Sequence, residues 1–199
     1  MQLIYVTQRA KIAGDPHRYL AELLAGRPDG LVIREKDLSD DALYDFAAPL
    51  VPIAARYDVP LILRGSPDLA RRLGIRHLQL SFAECMAAPL PEGFASVGVS
   101  VHALSEALDA QKHGASHVTY GHIFVSQCKP GLPPRGLAAL EEIAGACTIP
   151  VRAIGGINAQ TLPFLLPTGA SAACLMSTAM TDPEPQTLTT RLRRILKRP

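Results

Sequence analysis

Short apolar runs and longer amphipathic segments alternate eight times along the chain, and this alternation constrains the fold more than any other feature. The pattern predicts strands at Leu3–Val6, Gly30–Arg34, Pro60–Leu63, His77–Leu80, Ser96–Ser100, His117–Ile123, Pro150–Ile154 and Ser171–Met176. Between and after them it predicts helices at Pro16–Leu24, Asp41–Arg56, Pro67–Leu73, Phe82–Gly93, Ala103–His113, Leu137–Ala146, Gln160–Leu166 and Pro185–Leu196. Asp15 followed by Pro16 is a helix start, because the carboxylate accepts from the first turn and proline needs no donor there. Strands such as Leu61-Ile62-Leu63 are apolar on both faces, as in a parallel sheet covered on both sides. An open doubly wound sheet needs only about five strands. Eight favour a closed (β/α)8 TIM barrel, an α/β fold, occupying 1–199 as one compact domain, at the lower edge of the usual barrel length of about 200 residues.

The composition excludes several classes of function. With 48% apolar and 19% charged residues the chain can bury a core. The net charge of +2 gives no basic face for nucleic acid, and 5% aromatics without Trp offer neither a base-stacking platform nor a membrane belt. The N-terminus reads as a strand rather than a signal peptide. Cys85, Cys128, Cys147 and Cys174 have neither zinc-ligand spacing nor C-x-x-C pairing. They fit a reducing, cytoplasmic setting. The expected partner is therefore a small molecule, with no nucleic acid and no membrane.

In a barrel, chemistry comes from the carboxyl ends of the strands and the loops after them. Those positions hold Arg34, Glu35 and Lys36 after the second strand, and Arg64 and Gly65 after the third. Gln79 and Ser81 end the fourth, and Ser100 and His102 follow the fifth. His122, Ser126, Lys129 and Arg135 follow the sixth, Gly155 and Gly156 the seventh, and Ser177 and Thr178 the eighth. Gly155-Gly156 suits either a tight strand-to-helix turn or a bare backbone cradle for an anion. Its place beside Ser177 and Thr178, where barrels build phosphate sites, favours the cradle. Arg34, Lys36, Lys129 and Arg135 would draw a substrate with more than one negative group, although Glu35 and Asp37 could instead pair with the first two. His122 stands where an imidazole, with an ordinary pKa of about 6.5, could give and take a proton near neutrality. Position alone leaves a structural role equally open. The other histidines read as packing or surface residues, apart from His102 at a helix start on the rim.

Several stretches resemble the thiamine-phosphate synthase/TenI superfamily of small barrels. They are Gly98-Val99-Ser100-Val101-His102 with Glu106, Ala115 through Phe124, Lys129-Pro130-Gly131-Leu132, Arg135-Gly136, Ile149-Pro150-Val151 and Ala153-Ile154-Gly155-Gly156-Ile157. Ile33-Arg34-Glu35-Lys36-Asp37 is similar to the family's second-strand motif, and Gly169-Ala170 through Met176-Ser177 to its phosphate loop. The synthase branch implies Mg²⁺ held by an Asn-Asp pair after strand three and an acid after strand four. Here those exits read Leu63-Arg64-Gly65-Ser66 and Gln79-Leu80-Ser81-Phe82-Ala83-Glu84. Gly121-His122-Ile123-Phe124, Cys128-Lys129 and Arg135-Gly136 resemble the TenI branch, a thiazole tautomerase.

That resemblance implies an isomerase without metal or cofactor in thiamine biosynthesis. His122 would be the catalytic acid–base. The phosphate would sit at Gly155, Gly156, Ser177 and Thr178, and the carboxylate would face Arg34, Lys36, Ser100 and Lys129. Cys128 is given no role. The alternatives are a synthase-like transferase with an altered metal site, a non-catalytic or regulatory binder of a thiazole phosphate, and an enzyme of the same family acting on another phosphorylated heterocycle. The resemblance favours a homodimer, although no segment marks an interface. The loop Val125–Arg135 has the length and the Pro and Gly content of a lid.

Overall fold

A computed structural model describes residues 1–126, 129 and 131–197. Eight parallel strands close into a barrel in chain order. They are β1 (Gln2–Val6), β2 (Gly30–Ile33), β3 (Leu61–Leu63), β4 (His77–Ser81), β5 (Ser96–Val101), β6 (His117–Gly121), β7 (Val151–Ile154) and β8 (Ala172–Leu175). Closure is direct: Gln2 through Tyr5 of β1 pair with Ala172 through Leu175 of β8. The helices are α1 (Pro16–Ala25), α2 (Asp40–Ala47), α3 (Leu50–Arg56), α4 (Pro67–Arg72), α5 (Phe82–Ala87), α6 (Leu104–Lys112), α7 (Gly136–Ala146), α8 (Ser177–Met180) and α9 (Pro185–Leu196). Short 3-10 segments occupy Arg9–Lys11 and Leu162–Thr168.

Local chemistry accounts for most boundaries. Asp15 accepts from the His17 N–H at the start of α1, as expected from Asp15-Pro16. The helix expected over Asp41–Arg56 is two helices, because Pro49 cannot donate to the carbonyl a turn earlier and its ring crowds that carbonyl. Pro163 and Pro167 likewise reduce the helix expected at Gln160–Leu166 to a 3-10 segment, which ends at Gly169 with φ +76°. The helix expected through Gly93 stops at Ala87, before Pro89 and Pro91. β6 ends at Gly121 rather than Ile123, so His122 is the first residue past the strand.

Two cores result. The larger lies between strands and helices, where residues such as Leu3, Tyr5, Leu31, Leu63, Leu78 and Val99 meet helix residues such as Leu20, Leu23, Leu50 and Leu140. The smaller fills part of the barrel interior with Ile4, Val6, Val32, Ile62, Ala172 and Cys174. Opposite these side chains the interior is polar: Gln79, His117 and Thr119 are buried there. The free thiols of Cys85, Cys147 and Cys174 are unpaired, while Cys128 lies outside the described residues. Among the described residues no helix is long and apolar enough to cross a membrane.

Candidate active site

The residues singled out from the sequence emerge from one mouth of the barrel, where all eight strands end. Arg34, Glu35 and Lys36 follow β2, and Arg64 follows β3. Ser100 lies near the end of β5, His122 follows β6, Gly155-Gly156 follow β7, and Ser177 and Thr178 open α8 after β8.

The cations converge. Lys129 is partly buried, and its ammonium is pushed below its ordinary pKa first by burial, then by the nearby charges of Arg135, Lys36 and Arg34. Like charges gathered without an equal number of acids lower one another's affinity for protons, and the same field attracts an anion. A small pocket of about 130 Å³ is lined by Arg34, Glu35, Lys36 and Arg64.

The acids expected as partners for Arg34 and Lys36 are both bonded by Arg9. The carboxylate of buried Glu35 accepts from the Arg9 backbone N–H at 3.0 and 3.2 Å and from Arg9 Nη1 at 3.3 Å. The other side of the same guanidinium donates to both Asp37 oxygens at 2.7 and 2.6 Å. This bidentate pair holds the Asp37 carboxyl below its usual pKa. Arg9, from the loop after β1, thus neutralises the acids that flank the rim cations. No sequence pattern marked it, since a lone Arg in a loop carries no periodicity.

The glycines and the histidine form one unit. Gly155 and Gly156 have φ of +102° and +68°, which favour glycine. A Cβ on Gly155 would overlap the Cβ of His122, and one on Gly156 would overlap Phe124. Ile123 N–H donates to the Ile154 carbonyl and Phe124 N–H to the Gly155 carbonyl, each at 3.0 Å. The bare backbone after β7 is therefore packed against His122. Thr178 spends its hydroxyl on the Ile157 carbonyl at 2.8 Å, which ties α8 to the loop after β7. It corrects the expectation of a free hydroxyl donor at that position.

His122 is buried, 6% exposed. Its Nε2 lies 3.3 Å from the Leu132 carbonyl. A carbonyl only accepts, so Nε2 carries the proton and Nδ1 is the bare, basic nitrogen. Nδ1 is buried and has no hydrogen-bond partner among the described residues. The peptide before His122 is held from outside: the Gly121 carbonyl accepts from His102 Nδ1 at 2.9 Å and from Arg135 Nε at 3.1 Å. The loop closes on its own start, with Arg135 N–H on the His122 carbonyl and Gly136 N–H on the Ile123 carbonyl. His102, placed by the sequence at a helix start, precedes α6 and supports the strand-six exit.

The exits of β3 and β4 hold an ion pair. Arg64 Nη2 lies 2.9 Å from Glu84 Oε2. The same Glu84 carboxylate accepts from the Ser81 N–H and hydroxyl, both at 2.6 Å, completing the capping box of α5. Mg²⁺ takes carboxylate and water oxygens in octahedral geometry. Here the acid is already saturated by an Arg and a helix cap. Among the described residues no group of three or more His, Cys, Asp or Glu could hold a metal. The donor set does not fit the magnesium ion that the synthase branch implies.

A closed barrel of eight parallel strands with helices between them, and cations gathered at the carboxyl ends of its strands, is the frame of a TIM-barrel protein. The family model "Thiamine monophosphate synthase" matches residues 3–179, and the chain belongs to this family. Thiamine-phosphate synthase of Roseiflexus castenholzii is 30% identical over 195 residues, covering 94% of this chain and 85% of the relative. The enzyme of that name from Clostridium novyi is 29% identical, covering 93% of each. The solved structure of thiamine phosphate pyrophosphorylase from Pyrococcus furiosus superposes with a TM-score of 0.84 at 26% identity, covering 98% of this chain and 95% of that one. Family members are enzymes of thiamine biosynthesis that handle small phosphorylated substrates.

Proposed function

We propose that this chain is a thiazole tautomerase, which aromatises a thiazole carboxylate phosphate by moving one proton between carbons. The observation that carries the reading is His122, the first residue past β6 at the mouth of the barrel, whose Cα and Cβ pack against Gly155 and whose Nδ1 has no hydrogen-bond partner among the described residues. A buried acceptor without a partner is costly, and a hydrogen of a bound substrate would satisfy it. In the proposed reaction His122 Nδ1 takes the proton from a ring carbon. The C–H electron pair enters the ring, and the exocyclic carbon–carbon double bond receives the proton back from the imidazolium. Atoms and electrons balance within the substrate, so no oxidant, nucleotide or metal is consumed. The Leu132 carbonyl keeps Nε2 protonated, which leaves Nδ1 as the working base.

The substrate phosphate would be held by the backbone of Gly155 and Gly156 and by Ser177, with Thr178 contributing backbone rather than its hydroxyl. The carboxylate would face Arg34, Lys36, Ser100 and Lys129. Replacing His122 with Asn or Ala should abolish aromatisation while leaving binding of the aromatic product within a few-fold of wild type. Wild-type turnover in either variant would sink the assignment.

A second reading follows from the relatives, which are named as thiamine-phosphate synthases. It requires a metal site other than one built on Arg64 and Glu84. Release of pyrophosphate from the two thiamine precursors, dependent on added Mg²⁺, would favour it over the tautomerase.

A further inference from the structure

A chain of polar side chains crosses the barrel interior from its base to the substrate mouth. His117, the first residue of β6, is 2% exposed. Its Nε2 lies 3.3 Å from Gln79 Oε1, and Gln79 Nε2 lies 3.0 Å from Ser100 Oγ. Gln79 is itself buried, and Ser100 is the end of the chain nearest the rim. Gly98 makes the contact possible, because a Cβ there would overlap both His117 Nε2 and Gln79 Oε1. Burial and the charge of Arg152 together hold the His117 imidazole neutral, pushed down to about 3.

The sense of the chain follows from donors and acceptors. With its amide nitrogen on Ser100, Gln79 presents its carbonyl oxygen to His117, so His117 Nε2 donates. Ser100 Oγ is then an acceptor toward Gln79. Among the described residues its own O–H proton has no other recipient. We propose that His117 and Gln79 are positioning residues that set Ser100 as an obligate donor to the carboxylate of the substrate, so that the interior of the barrel decides whether a carboxylated thiazole phosphate is preferred over its decarboxylated counterpart. This deepens the functional reading above and rests on it for the identity of the ligand.

The order is strict in chemical terms. A serine hydroxyl free to rotate could accept from an amine or hydroxyl as readily as donate to an anion. One already accepting from an amide has its proton turned away from that amide, toward the mouth. The energy at stake is one hydrogen bond to a charged group, equivalent to roughly tenfold in affinity.

Calorimetric titration with two probes tests this: the aromatic thiazole carboxylate phosphate and the same thiazole phosphate lacking the carboxylate. Gln79→Met keeps the side-chain length without the amide. Gln79→Met and Ser100→Ala should each weaken the carboxylated probe about tenfold. Both should leave the decarboxylated probe unchanged, and Ser100→Thr should restore the lost affinity. The double variant should lose no more than either single one, because both remove the same bond. Thermal melts verify that each variant is folded. Should Gln79→Met fold less well than wild type, Gln79→Leu takes its place in the cycle, and His117→Gln, which retains a donor toward Gln79, should bind the carboxylated probe as wild type does. Undiminished binding of the carboxylated probe by folded Gln79 variants, equal losses for both probes, or losses that multiply in the double variant would overturn the relay. A wild type that binds neither probe would overturn the functional reading and, with it, the ligand assigned to the relay. Loss of turnover without loss of binding in His122 variants would leave the relay standing.

Discussion

Acid should destabilise this protein through His117 in a way that one substitution removes. The imidazole is buried and has its pKa pushed from 6.5 down to about 3, first by burial, then by the charges of Arg152 and His77. In the unfolded chain it would titrate near its ordinary value. Above pH 6.5 both states are neutral at this site and it contributes no pH dependence. As the pH falls below 6.5, the unfolded state takes up a proton that the folded state refuses until about pH 3, so stability is lost across that window. Each pH unit within the window is worth about 1.4 kcal/mol, and the part lying between pH 8 and pH 5 amounts to about 2 kcal/mol. His117→Gln keeps a donor toward Gln79 and removes the titration. Urea unfolding of wild type and variant at both pH values gives the result directly, as the difference of two differences. The variant should lose about 2 kcal/mol less than wild type on going from pH 8 to pH 5. Equal losses would refute the claim that a neutral imidazole is locked inside the barrel. His77, whose pKa is also lowered by burial and by Arg152 and Arg76, is present in both proteins.

Other perturbations probe the mouth. Gly155→Ala places a methyl group on the Cβ of His122 at a φ of +102°, so it should cost roughly 1–3 kcal/mol and reduce turnover together with stability; unchanged melting and activity would contradict the packing described. Glu35→Ala leaves the Arg9 N–H and guanidinium without their shared acceptor, with an expected loss of roughly 1–3 kcal/mol in denaturant unfolding, and Glu35→Gln should lose less. Lys129 has a lowered pKa. An anionic ligand favours its charged form, so binding at alkaline pH should take up a proton and weaken as pH rises. Calorimetry in buffers of different ionisation enthalpy measures that uptake, and heats that do not depend on the buffer would exclude it.

Much of the barrel was legible because hydrophobic periodicity is a local property. Eight apolar runs, each followed by an amphipathic stretch, lead to a closed parallel sheet with little ambiguity. The errors fell where one residue outweighs a pattern: Pro49 divides a helix whose apolar spacing runs on past it, and Pro163 and Pro167 turn an expected α-helix into a 3-10 segment. Candidate site residues could be placed on the correct mouth because strand direction alone decides which end a residue occupies.

What no linear pattern carried was the pairing of side chains across that mouth. The sequence determined the barrel, the end at which Arg34, His122 and Gly155-Gly156 emerge, and the surplus of cations there. Tertiary structure decided that Arg9 engages both Glu35 and Asp37. It also decided that Glu84 is consumed by Arg64 and a helix cap, and that Gln79, a polar residue in an interior strand, joins His117 to Ser100. Partners such as Arg9 and Glu35, or Gln79 and His117, stand 26 and 38 residues apart. Hydrogen bonds and ion pairs depend on distances of a few tenths of an ångström, which only the closure of the sheet establishes.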